Sequence, residues 1–397
     1  LLTNRLVPKC SVSIMGNLLS EPVRDKDSGV VSNEHVDVAY TSMQGWRTSQ
    51  EDAHLADLTF SDNMLLFGVY DGHGGKEVSN VVSRHLGRVL KEQAAFKKGD
   101  YCQALNDCYM ATDVFLRSRS GMEAIKEYVA ADKSKNPEQQ KQISEELQAF
   151  LRNTVESAKA QSGDDQGWMP TEEELQKVVL GRTANVQDEE GLARVPFYSG
   201  CTAVTALIVG NKLYCANSGD SRCMVCRNGI AVEMSFDHKP EDEIEIARIV
   251  NAGSYIQGGR VDGNLNLTRA LGDFEHKEKP VIPELQPITA QPDVRSLILS
   301  GEDEFILMAC DGIWGMMESQ EAVTFVRSKL KAGMSCREAA EALCDACCSP
   351  TEDGEGTDNE TVLIVRLKKQ LPAIPSAKTD PSAPTVRPLL WKPNSRK

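Results

Sequence analysis

The chain has 397 residues, 41% hydrophobic and 26% charged, which allows a sizeable core under an ordinary globular surface. Its formal net charge of −14 repels phosphate backbones, so nucleic acid is not expected as a partner. No apolar run approaches the ~20 residues of a membrane helix, and the 12 cysteines are scattered, with no secretory signal and no short disulfide framework.

Residues 1–35 have no hydrophobic period and read as an N-terminal tail. Within them, Met15-Gly16-Asn17-Leu18-Leu19-Ser20 matches the N-myristoylation pattern. If translation starts at Met15, a lipid on Gly16 would bring the chain to a membrane; otherwise the expected location is the cytoplasm. Periodic sequence, and with it the expected catalytic domain, runs from 36 to 369. The run Met64-Leu65-Leu66-Phe67-Gly68-Val69-Tyr70 has the length and composition of a buried strand and ends in Asp71-Gly72-His73-Gly74-Gly75. Val78, Val81, Val82, His85, Leu86, Val89 and Leu90 then recur at helical spacing.

Residues 121–195 interrupt the pattern and read as a helical surface insertion. It has helix-like spacing at Ile143, Leu147, Phe150, Leu151 and Val155, a capping-box signal at Thr171 and Glu174, and a polar, unperiodic linker over 188–194. Residues 202–234 read as a meander of three strands, with turns at Gly210-Asn211, Ser218-Gly219-Asp220 and Asn228-Gly229. Cys223 and Cys226 in that run should point to opposite faces of a strand, so they and Cys344/Cys347 are expected as buried thiols rather than zinc ligands. Another buried strand, 305–310, ends in Asp311-Gly312. Helices follow over 319–330 and 335–347, and a last strand, 361–365, begins just after Asp358-Asn359. Residues 370–397 hold six of the 17 prolines and read as a disordered basic tail. Antiparallel strands with a few long helices imply an α/β four-layer sandwich, two antiparallel β-sheets flanked by α-helices.

The acidic residues at strand ends carry the chemistry. Asp71 and Asp311 each follow a buried strand and precede a glycine; Glu51-Asp52 and Asp358-Asn359 sit beside other strand-like runs. One such aspartate is an ordinary turn former. Several together, each costly to bury alone, point to hard divalent cations, Mg or Mn. Two such ions suit in-line attack of water on phosphorus. Arg47 is the candidate to grip the phosphate and His73 the candidate to protonate the leaving group.

At these residues the chain resembles the metal-dependent protein phosphatases of type 2C. The matching motifs, in order, are Gly45-Trp46-Arg47 with Gln50-Glu51-Asp52-Ala53-His54, Val69-Tyr70-Asp71-Gly72-His73-Gly74-Gly75, and Ser199-Gly200-Cys201-Thr202-Ala203. They continue with Asn217-Ser218-Gly219-Asp220-Ser221-Arg222, Asp237-His238-Lys239-Pro240, and Leu267-Thr268-Arg269-Ala270-Leu271-Gly272-Asp273. Ala309-Cys310-Asp311-Gly312-Ile313-Trp314 and Thr357-Asp358-Asn359 close the series.

The resemblance implies hydrolysis of phosphoserine and phosphothreonine in protein substrates by a monomeric enzyme. It implies that Asp71 bridges two metals, that Glu51, the Gly72 carbonyl, Asp311 and Asp358 complete their ligation, and that Asp52 holds metal-bound water. Arg47 would bind the substrate phosphate and His73 would donate the proton. A weak third ion would lie near Asp220 and Asp311, and residues 251–292 would contain a flap beside the site. The family usually has an acidic residue after the tryptophan of Asp-Gly-Ile-Trp; here that residue is Gly315. Two rival readings are a non-catalytic binding platform, which should lack some of these carboxylates, and a two-metal nuclease, which should carry a basic stripe.

Overall fold

The computed structural model describes residues 18–135, 189–352, 354–368 and 371. The start at Met15 and Gly16, the helical spacing around Ile143 and Val155, the capping box at Thr171 and the tail beyond Leu371 lie outside the described residues.

The described chain opens with β1 (Leu18–Ser32), β2 (Val36–Arg47), β3 (Ala53–Ser61), β4 (Met64–Tyr70) and the short β5 (Gly72–His73). Helices α1 (Glu77–Glu92), α2 (Ala94–Lys97), α3 (Tyr101–Arg117), α4 (Arg119–Lys135) and α5 (Glu189–Tyr198) follow. Next come β6 (Gly200–Cys201), β7 (Ala203–Val209), β8 (Lys212–Ser218), β9 (Arg222–Arg227), β10 (Ile230–Glu233) and α6 (Glu243–Asn251). The last third holds β11 (Ile256–Gln257), β12 (Arg260–Val261), β13 (Leu271–Gly272), β14 (Asp293–Ile298) and β15 (Asp303–Ala309). It ends with α7 (Asp311–Trp314), α8 (Ser319–Lys331), α9 (Cys336–Cys347) and β16 (Glu360–Leu367).

Two antiparallel sheets dominate, one ordered β1-β2-β16-β15-β9-β10 and the other β14-β8-β7-β4-β3. The period-2 alternation of each strand sends one set of side chains between the sheets and the other toward helices. In β4, Leu65, Phe67 and Val69 meet Ile306, Met308 and Leu363 between the sheets, while Leu66 and Tyr70 face α1 and α3. There Val82, Leu86 and Leu90 of α1 pack with Leu105 and Tyr109 of α3. On the far side, Val323 and Val326 of α8 and Leu343 of α9 cover Phe305, Leu307, Val362 and Ile364. The four layers are therefore helices, sheet, sheet, helices, as the strand and helix periods imply. Every described cysteine is a free thiol, with Cys223 facing the inter-sheet core and Cys226 the helical layer.

The structure corrects four expectations. The described part of the N-terminal tail is mostly strand: β1 pairs with β2 from Leu18↔Arg47 to Ser32↔Asp37. It is an edge strand with no fully buried residue and two register shifts near Pro22, so it shows no clean alternation. The expected start of the insertion at 121 falls inside α4, whose Ile125 and Tyr128 belong to the core. The linker at 188–194 is mostly helix α5, anchored at its end by Val195. The meander over 202–234 is four strands in two hairpins, β7–β8 in one sheet and β9–β10 in the other. The turn between β8 and β9 crosses from sheet to sheet, and it carries Asp220.

Candidate active site

All the acidic strand ends converge on one end of the sandwich. Ala53 pairs with Tyr70, and Val69 with Val204, so the start of β3, the end of β4 and the start of β7 are neighbours. Ala309 pairs with both Val362 and Arg222, which brings the end of β15 beside the starts of β16 and β9. Glu51-Asp52, Asp71, Asp220, Asp311 and Asp358 thus share one rim, because antiparallel pairing alternates chain direction but not position.

Carboxylate oxygens of Asp71, Asp220 and Asp311 lie within 4.8 Å of one another, and Asp71, Asp52 and the Cys310 thiol form a second such group. Asp71 belongs to both. Asp52 Oδ2 is buried with no hydrogen-bond partner among the described residues. Burial raises Asp71 well above the usual carboxylate range, reinforced by the charges of Asp52, Asp311, Asp358 and Asp220. Asp52 is pushed up to about 7 by burial and then by Asp358, and Asp311 to about 7 by burial and by Asp220 and Asp358. Carboxyls this crowded hold protons unless a cation joins them. The all-oxygen aspartate set suits a hard ion. Cys310 is a bystander: burial keeps its thiol protonated, and it accepts from Thr361 N at 3.1 Å.

Glu51 lies beside these groups, accepting from Gly75 N at 3.1 Å and from Ser49 Oγ at 2.9 Å. At Gly72 an added Cβ would stand 2.2 Å from the Glu51 carbonyl oxygen, so only glycine lets the two segments approach. Asn359 staples the loop that carries Arg47 and Glu51. Its Oδ1 accepts from Glu51 N at 3.0 Å, and its Nδ2 donates to Gln44 O and Ser49 O. Arg47 is half-exposed, and its Nη2 donates to Asp358 Oδ2 at 2.6 Å. Burial works against its charge, but Asp358, Asp71 and Asp311 outweigh that and raise its pKa. His73 stands 2.7 Å from Asp273 Oδ2 through Nε2; burial opposes its protonation, and the Asp273 charge more than compensates. Lys239 Nζ contacts Asp220 Oδ2, a side chain 2% exposed.

Residues 36–134 and 130–355 match the family model described as Protein phosphatase 2C. The chain belongs to the protein phosphatase 2C family. It is 37% identical over 367 residues to "Probable protein phosphatase 2C 21" of Arabidopsis thaliana, covering 90% of this chain and 94% of that one. It is 39% identical to "Protein phosphatase 2C homolog 3" of Schizosaccharomyces pombe, across 90% of this chain and 70% of the relative. The fold matches the crystal structure of serine-threonine phosphatase 2C from Toxoplasma gondii, with TM-score 0.58, 19% identity, and coverage of 86% and 99%. This chain is therefore a serine/threonine protein phosphatase of the metal-dependent type, and the binding-platform reading is not favoured.

In this phosphatase the structure brings Asp52, Asp71, Asp220 and Asp311 into direct proximity and ties Asp358 to them through Arg47. Glu51 sits on the adjoining segment, outside the two close groups, and Gly72 follows Asp71 directly. The sequence reading assigned no role to Asp273, Lys239 or Asn359. Each lies in a quoted motif, but its partner is distant in the chain, and no local spacing announces such a pairing. Gly315 closes α7 with ordinary helical angles (φ −68, ψ −24), and an added Cβ would meet only the Asp311 carbonyl, at 3.2 Å. A side chain there needs that carbonyl to shift by a few tenths of an ångström.

Proposed function

We propose that the protein hydrolyses phosphoserine and phosphothreonine using two divalent cations, Mg or Mn, held at the shared rim by Asp71, Glu51, the Gly72 carbonyl, Asp311 and Asp358. The observation that carries this reading is Asp71, whose carboxylate belongs to both close acidic groups. Bound there, such ions polarise phosphoryl oxygens and supply a nucleophilic water near neutral pH.

The chain's own groups do the rest. Arg47, half in solvent and anchored on Asp358, presents its remaining guanidinium donors to a phosphate arriving from outside. Asp52, with an unpartnered buried oxygen, orients water at the centre. His73 gives a proton to the departing seryl or threonyl oxygen, a poor leaving group without it. The location we propose is the cytoplasm, with membrane attachment where Gly16 is myristoylated; mass spectrometry of the native N-terminus tests the latter.

The direct assay is turnover of a phosphoserine peptide with manganese and with chelator. Activity that survives complete chelation would refute the two-ion reading. Replacing His73 by Gln should slow phosphopeptide hydrolysis far more than p-nitrophenyl phosphate hydrolysis, whose leaving group needs no proton.

A further inference from the structure

His73 sits at the end of a small three-stranded sheet ordered β13-β6-β5. Gly72 and His73 of β5 pair with Cys201 and Gly200 of β6, and β6 pairs on its other side with Leu271 and Gly272 of β13. Asp273 follows β13 directly, so His73 and Asp273 flank Gly200 on opposite strands. A Cβ on residue 200 would lie 2.3 Å from Asp273 Oδ2. Glycine leaves the gap through which that carboxylate crosses the strand to reach His73 Nε2 at 2.7 Å.

Asp273 is held in a conformation that residues other than glycine adopt only occasionally. Gly272 and Asp273 have φ of 81 and 50, two consecutive residues in the left-handed region. Four bonds impose this. Gly272 N donates to Asp113 Oδ1 at 2.9 Å, Asp273 N donates to Ser199 O at 3.0 Å, and Lys277 Nζ donates to both Asp113 Oδ2 at 2.5 Å and Ala270 O at 2.8 Å. Asp113 comes from α3, and Lys277 is only 6% exposed, so the clamp is built into the helical layer.

We propose that Asp273 is the positioning residue for His73, and that the largely buried Asp113–Lys277 pair sets Asp273 in turn. The proposal rests on His73 being the proton donor. With Nε2–H committed to Asp273, Nδ1 is the nitrogen that serves the substrate. As the P–O bond breaks, its electron pair goes to the seryl or threonyl oxygen, which takes the Nδ1 proton. The imidazolium becomes a neutral ring whose Nε2–H stays on Asp273. Without Asp273 the ring loses this anchor and rotates freely about its side-chain torsion.

The test is a double-mutant cycle on the full chain with manganese, using a phosphoserine peptide and p-nitrophenyl phosphate as parallel substrates. Asp273→Asn should lower kcat for the peptide by about a hundred-fold, the scale of a small misplacement of a reacting group, and affect p-nitrophenyl phosphate far less. In the His73→Gln background the same change should cost nothing further. Asp113→Asn, which leaves His73 and Asp273 intact, should give a smaller loss of the same leaving-group dependence, with unchanged manganese affinity by calorimetry. Equal losses of Asp273→Asn on both substrates, or a full additional loss in the His73→Gln background, would overturn the proposal. If His73→Gln alone hits both substrates equally, the proton-donor reading has failed first and the positioning role falls with it.

Discussion

Arg47 and Asp358, 311 positions apart in the chain, are joined by a 2.6 Å hydrogen bond from Nη2 to Oδ2. The phosphate grip is thereby anchored on a carboxylate of the acidic centre. Both side chains are substantially exposed, so the pair adds little stability, on the order of 1 kcal/mol or less. Arg47→Ala should leave the melting temperature nearly unchanged and raise KM for a phosphopeptide roughly 10- to 100-fold, the worth of a charged hydrogen bond. Steady-state kinetics beside thermal unfolding would check it; an unfolded variant would instead give Arg47 a structural role.

Asp71→Asn removes the carboxylate common to both acidic groups. Turnover should fall by several orders of magnitude. In chelator the same variant should melt higher than the parent, because burial and four neighbouring carboxylates penalise the native charge. Near-normal turnover, or a lower melting temperature in chelator, contradicts the account.

Metal binding should release protons. Asp52 and Asp311 rise from 3.8 to about 7 in the folded chain, so near neutrality each is partly protonated and a cation must displace that proton. Apparent manganese affinity should therefore increase from pH 6 to pH 8 and then level off. In chelator the sign reverses for folding. Raised carboxyl pKa values favour the native state below pH 3.8, and that contribution is lost as pH climbs toward about 7. Calorimetry in buffers of different ionisation enthalpy would count the protons; a pH-independent affinity would be fatal.

Glu360, two residues beyond Asp358, offers a second pH prediction. It is fully buried on β16, and among the described residues neither carboxyl oxygen has a well-formed hydrogen bond, though the Cys348 thiol lies near it. Burial, then Asp358 and Asp52, push it from 4.5 to about 9. The native state thus holds a proton that the unfolded chain releases, and stability declines as pH rises from 4.5 to about 9. Glu360→Gln should stabilise the protein by on the order of 3 kcal/mol at pH 7 and much less at pH 4.5. A pH-independent difference in chemical denaturation would show that Glu360 is ionised in the fold.

Gly315→Asp places an acidic residue beside Asp311, where its Cβ would stand 3.2 Å from the Asp311 carbonyl oxygen. If charge governs a third ion, this variant should saturate with manganese at lower concentration, while Gly315→Ala should titrate like the parent. Identical titrations for all three proteins would remove electrostatics as the explanation.

Much of the molecule was legible in its residues. The runs at 64–70, 305–310 and 361–365 are strands, and the stripe from Val78 to Leu90 is a helix, because an element with one buried face repeats its apolar residues at its own period. The strand-end aspartates were equally visible, each closing or opening such a run. The polar edge strand β1 was not. Its backbone bonds to β2 hold it in place, with no buried stripe to announce them.

Sequence alone therefore determined which segments bury, which acidic residues stand at their ends, and through eight motifs the family. Tertiary structure decided who meets whom. The β8–β9 turn crosses between sheets and delivers Asp220 to Asp71. Gly200 opens the passage from Asp273 to His73, 200 residues apart, and Asn359 ties the Glu51 loop to β16. Periodicity reports only how a residue faces its nearest layer. Pairings across hundreds of residues depend on sheet order, register and crossing, which arise only when the whole chain packs.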